Sequence, residues 1–167
     1  VAWDGTDEGG ALVAHQEATL DAAFALRDIT FDGFASDNWG AVFIAAQGEI
    51  TLDGVTITNT TAGPGAEFLA ANDVHIVDST FTGNDNDYDD GGAVQIIDYD
   101  DVTFDVNVTG STFDSNSTIA DGGAVYAESA LLIVEDSTFT RNHADEDGGA
   151  VLGENSGDIS GSTFAGN

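Results

Sequence analysis

Lysine, cysteine and methionine are absent from these 167 residues, and proline occurs once. The only basic side chains apart from three histidines are Arg27 and Arg141, set against 31 acidic residues, so the formal net charge is −29. With no cationic patch there are no counterions to release on a polyphosphate and no attraction to an anionic lipid surface, which excludes nucleic acid and such membranes as partners. Without cysteine there is neither a disulfide framework nor a thiolate metal site. No apolar run is long enough for a transmembrane helix, and no signal peptide is recognisable. A chain without methionine does not start at its own initiator, so it is expected to be a processed product or a segment of something longer.

Acid dominates what is present. Aspartate outnumbers glutamate 23 to 8, and a chain this charged repels itself unless salt or divalent cations screen it. An Asp-rich, lysine-free composition resembles that of proteins from strongly saline environments. Hydrophobic residues make up 41%, enough for a core.

The apolar residues recur. Alanines following glycine or its equivalent fall at Ala11, Ala41, Ala66, Ala93, Ala124 and Ala150, with spacings of 30, 25, 27, 31 and 26. The last three units read DDGGAV, ADGGAV and EDGGAV. A second series ends in STF-like strands anchored by Phe31, Ile57, Phe81, Phe113, Phe139 and Phe164. Between them lie apolar patches such as VHIV (74–77) and LLIV (131–134). No stretch has a sustained helical period. Three short strands per unit, repeating in register, predict an all-β, single-stranded parallel β-helix of about six rungs, with residues 1–167 forming one β-helix domain. At about 4.8 Å per rung the six would rise roughly 29 Å. The Phe anchors then form an internal ladder. Asn84, Asn116, Asn142 and Asn167 fall where strands end, where asparagine accepts left-handed backbone and bonds to its copy in the next rung.

The paired GGAV and FxxN motifs resemble the polymorphic outer membrane protein repeats of surface autotransporters. The resemblance spans nearly the whole chain, with Gly40-Ala41-Val42 and Gly65-Ala66-Glu67 as degenerate copies. It implies a right-handed coil, a secreted or cell-surface location, and little about ligand.

The two ends share the repeat grammar and neither carries an amphipathic cap. Open solenoid ends invite strand addition, so end-to-end stacking into a homo-oligomer is expected. Lateral packing is also expected, because one parity of the Gly-Ala strands (Leu12, Val42, Val94, Val125 and Val151, with Glu67 as an exception) reads as inward. The other (Val13, Phe43, Phe68, Gln95, Tyr126, Leu152) then reads as an exposed apolar stripe.

Candidate sites are few. The loop 84–91, NDNDYDDG, alternates Asp85, Asp87 and Asp89, with Asp90 adjacent, a pattern that suits calcium because it offers several oxygens. Asp145 and Asp147 of HADEDGG offer a weaker copy, and Asp98–Asp101 with Asp105 a third; the competing reading is solvated acidic loops. Thr30, Thr56, Thr80, Thr112, Thr138 and Thr163 point outward. The Thr-x-Thr lattice of an ice-binding face is broken at Asp32, Asp114 and Ala165. His15, His75 and His143 share no metal spacing. Sequons at Asn59, Asn107 and Asn116 admit surface glycans. For catalysis, a lyase would need a basic group beside its metal carboxylates. A hydrolase would need one carboxyl raised by burial. Neither pattern stands out, so the chain reads as a non-enzymatic, extracellular filament, stalk or adhesin segment, with a calcium- or carbohydrate-binding module as the alternative.

Overall fold

The structure, a computed structural model, describes residues 11–15, 22–35, 39–98, 103–128 and 130–167, without the side chains of Val13 and His15. Expectations that rest on those two side chains, on the N-terminal junction or on residues 99–101 lie outside the described residues.

Three six-stranded parallel sheets run the length of the molecule. The first stacks Leu12–His15, Val42–Ala46, Ala66–Ala70, Val94–Asp98, Val125–Ala127 and Val151–Gly153. The second stacks Phe24–Arg27, Ile50–Asp53, Val74–Val77, Asp105–Thr109, Leu131–Glu135 and Gly157–Ser160. The third stacks Thr30–Asp32, Thr56–Thr58, Thr80–Thr82, Thr112–Asp114, Thr138–Thr140 and Thr163–Ala165. One strand of each makes a rung, so there are six rungs, and the parallel β-helix read from the repeat is the fold. A fourth, short sheet of Asp85–Asn86, Ser117–Thr118 and His143–Ala144 pairs the turn loops with one another. Two-residue strands carry no alternation, so the repeat gave no sign of it.

The core follows from strand parity. Phe81, Phe113, Phe139 and Phe164 stack with ring centroids 4.9, 4.7 and 4.7 Å apart and planes within 4°. Ile57 interrupts the aromatic column below them, and Phe31 begins it. Val42, Val94 and Val125 of the first sheet and Ile50, Ile76 and Val108 of the second close the core.

The register corrects one rung of the alignment. Val42 pairs with Ala66, and Ala66 with Val94. Ala66 therefore occupies the inward valine column, one place later than the alanine series put it. Glu67 is then no exception to the inward column: it faces outward with Phe43, Gln95 and Tyr126. Phe68 moves from the supposed outer stripe into the core.

That outer stripe is not exposed either. Phe43, Glu67, Gln95 and Tyr126 are all at least nine-tenths buried. Trp39 packs edge-on against Phe43 at 4.3 Å, and the loops before the GGAV strands fold back over the sheet. Gly91, Gly122 and Gly148 make this approach possible. Their φ values are 65–69°, and a Cβ on Gly91 would stand 2.4 Å from the Val94 carbonyl oxygen. Only glycine meets both demands without strain.

Candidate functional site

Two polar ladders flank the third sheet. In the first, Ser79, Ser111 and Ser137 are buried, and each backbone N–H donates to the hydroxyl of the next rung's serine at 3.0–3.1 Å. The sequence reading passed over this column, although the serine of STF recurs at a fixed place. In the second, the Asn84, Asn116 and Asn142 side-chain amides donate to the carbonyl oxygen of the next asparagine at 2.9 Å. They also donate to the backbone carbonyls of Ile57, Phe81 and Phe113 at 3.1 Å. Thr60 takes the asparagine's place in rung two. The left-handed backbone expected at these asparagines falls one residue earlier, at Gly33, Asn59, Gly83, Ser115, Arg141 and Gly166, with φ between 56° and 74°. Asparagine is selected here for its amide rather than its backbone. Of the three sequon asparagines, Asn116 is fully buried with its side-chain nitrogen donating twice, whereas Asn59 is exposed.

The acidic loops form the second candidate. Loop 84–91 is organised by Asn86, a residue the sequence reading did not single out. Its buried carbonyl oxygen accepts the Tyr88 and Asp89 amides at 3.2 Å, and its amide donates to the Asp90 carbonyl at 2.7 Å. The carboxylates disperse around it. Asp85 is exposed and accepts the Ser117 hydroxyl, Asp87 is exposed, and Asp89 accepts the amide of Asp90. Asp90, half-buried, accepts the Asp121 amide at 2.9 Å, and Asp121 in turn accepts the Asp147 amide at 2.6 Å. Asp145 pairs with His143 at 3.0 Å. Among the described residues, no three acidic or histidine side chains form a group that could hold a metal ion.

Beneath this loop lies Glu67, only 6% exposed. Burial, reinforced by the Asp89 carboxylate and opposed by a hydrogen bond from the Gly40 amide, pushes its carboxyl up to about 7. Burial likewise raises Asp90, with Asp89, Asp121 and Glu146 adding to the shift against the Asp121 amide. Tyr126 donates its hydroxyl to Glu154 at 2.7 Å and is raised by burial and by that carboxylate. Glu67 was missed as a perturbed group because the one-residue slip placed it in the wrong column.

The threonine column does face outward. At the positions where its second residue is aspartate, the rungs are tied instead. Thr58 and Asn59 donate to Asp32 at 2.7 and 2.8 Å. Thr140 and Arg141 donate to Asp114, and Arg27 to Asp53. Both arginines thus lie on the surface, each on the aspartate of an adjoining rung.

Residues 110–128 and 136–154 match the Chlamydia polymorphic membrane protein (Chlamydia_PMP) repeat. Each stretch runs from a third-sheet strand through the asparagine and the Gly-Gly loop into the next first-sheet strand. No curated protein and no solved structure matches the chain. It is a parallel β-helix repeat protein whose rungs resemble those of the polymorphic membrane proteins.

Proposed function

We propose that this chain is a structural segment of an extracellular surface protein, a stiff acidic spacer or adhesin stalk suited to saline surroundings. The observation that carries it is ladder continuity. Phenylalanine, serine and asparagine columns bind rung to rung, while the acid lies mostly in turns and on outer faces. The repeat match supports a cell-surface setting, and a charged, lysine-free exterior suits a medium whose ions screen it.

Small-angle scattering of the full chain in dilute and molar salt, combined with incubation against neutral and acidic polysaccharides, tests this reading. The expected result is a short rod in molar salt and no new reducing ends. Polysaccharide cleavage that Glu67→Gln abolishes would overturn it in favour of a hydrolase using a raised carboxyl. Saturable calcium binding, lost in Asp87→Asn with Asp89→Asn, would favour the calcium module instead.

A further inference from the structure

The loops that cover the first sheet form a layer, and the layer has a seam in it. From the polar ladder to the inward column of the first sheet the chain runs from Asn84 to Val94, from Asn116 to Val125 and from Asn142 to Val151, but only from Thr60 to Ala66. The turn at residues 60–65 is too short to fold back over the sheet. Glu67, which follows it, is covered by its neighbours instead: the Gly40 turn on one side and loop 84–91 on the other. Both covers lie close, since a Cβ on Gly40 would stand 3.0 Å from the Glu67 amide nitrogen and one on Gly91 2.9 Å from the Gln95 Cα.

Loop 84–91 is fastened on its far side. The Thr118 hydroxyl donates to the Asp89 carbonyl, the Asp121 amide to the Asp90 carboxylate, and the Gly91 amide to the Asp121 carbonyl. Among the described residues, no hydrogen bond joins residues 87–90 to the rungs on the Glu67 side. What faces Glu67 there carries its own sign. Asp89 acts on it from the loop, Asp90 sits behind on Asp121, and Asp85 and Asp87 are exposed. Its neighbours across the sheet, Phe43 and Gln95, are uncharged, as is every residue from 59 to 65. No described cation answers it: Arg27 lies on Asp53, Arg141 on Asp114, His75 beside Glu49 and His143 beside Asp145. Ionising Glu67 under a closed cover leaves an unpaired buried charge against a like one, which is costly, and parting the seam relieves it by admitting water.

We infer that the seam is a proton-controlled opening: with Glu67 protonated, loop 84–91 lies closed on the first sheet, and loss of that proton lets residues 87–90 lift away, uncovering Gln95 and Phe43 while the coil beneath stays intact. The sign follows from the two states. The closed layer holds the proton up to about pH 7, whereas in the open one Glu67 titrates near its ordinary 4.5. The open population therefore climbs between those values, by on the order of 100-fold, and levels off above. This opening is independent of the surface role proposed above.

The absence of cysteine makes a single introduced thiol a clean probe. The full chain carrying Gln95→Cys is labelled with a thiol reagent from pH 4.5 to pH 8.5 (~4 pH units, spanning both titrations) in chelator, and its rate is divided by that of an unstructured cysteine peptide under the same conditions. The relative rate should rise by on the order of 100-fold and level off above about pH 7. Adding Glu67→Gln should abolish the rise, and adding Asp89→Asn, at an exposed loop position, should cut it several-fold. Val94→Cys, in the core of the same strand, should stay protected throughout. A flat profile for Gln95→Cys, a rise that survives both second substitutions, or an equal rise at Val94→Cys would each overturn the inference.

Discussion

At the scale of single residues, the ladder positions are the costly ones. Phe113 is fully buried between two parallel rings, so Phe113→Ala should cost about 3–5 kcal/mol. Asn116→Ala removes less volume but leaves the Asn84 amides without an acceptor and the Phe81 carbonyl without a donor, a loss of about 2–4 kcal/mol. Urea melts of the two variants check both values. Glu67 acts in the opposite sense. Its folded carboxyl titrates at about 7 against an ordinary 4.5, so the native state holds the proton longer than the unfolded chain. Stability therefore falls as pH rises from about 4.5 to about 7 and stays lower above that, by about 3 kcal/mol. Glu67→Gln should remove that slope and raise the urea midpoint at pH 8, while leaving it nearly unchanged at pH 4.

At the scale of elements, the turns carry as much specification as the strands. The turn between the second and third strands has left-handed backbone in every rung, at Asp28, Gly54, Asp78, Gly110, Asp136 and Gly161. Aspartate and glycine alternate there for a reason visible in space. A Cβ on Gly110 would lie 2.4 Å from Asp78 Oδ1, and one on Gly161 would lie 2.1 Å from Asp136 Oδ1. Gly110→Ala should cost about 2–3 kcal/mol, against about 1 kcal/mol for Gly33→Ala, whose φ is similar but whose surroundings are open. Adding Asp78→Ala to Gly110→Ala should recover most of the difference, as a double-mutant cycle will show.

Repeats made the strands and the phenylalanine column legible in the sequence, because Phe81, Phe113 and Phe139 recur beside the same threonine and asparagine. The slip at Ala66 was not legible. Both parities of the Gly-Ala strands are partly apolar, and only pairing with Val42 and Val94 shows that Ala66, not Glu67, stands in the inward column. The covering of Tyr126 and Gln95 escaped for a similar reason: alternation reports which side of a strand a residue faces, not what another loop lays over it. Asn86 lies within an acidic run whose composition suggested a cation, while the loop's centre is filled by its own amide.

At the scale of the whole molecule, charge and pH act together. A net charge of −29 makes the compact state self-repelling in dilute buffer, so the thermal midpoint should climb steadily with potassium chloride. Calcium and magnesium at matched ionic strength should act alike if screening is all that matters; a larger shift with calcium would report a bound ion. Asp32 is held below its usual range by hydrogen bonds from Asn59 and Thr58, and Asp114 by the Thr140 hydroxyl and then Arg141. Their contribution is present above the ordinary carboxylate range and lost as pH falls through their lowered values. Together with Glu67 this places maximum stability at about pH 4–5 in low salt, a profile that differential scanning calorimetry can trace.

The alternation of aspartate and glycine means that rungs come in couples. Backbone geometry repeats every rung, yet the side-chain pattern at this turn repeats every second one, each aspartate leaning into the vacancy of the glycine that follows. Excising rung four would bring Asp78 against Asp136, where no vacancy exists; excising rungs three and four together would restore the pattern. A coil of this kind lengthens or shortens comfortably only in even steps, so its grammar limits the sizes it can take as firmly as its core fixes its width.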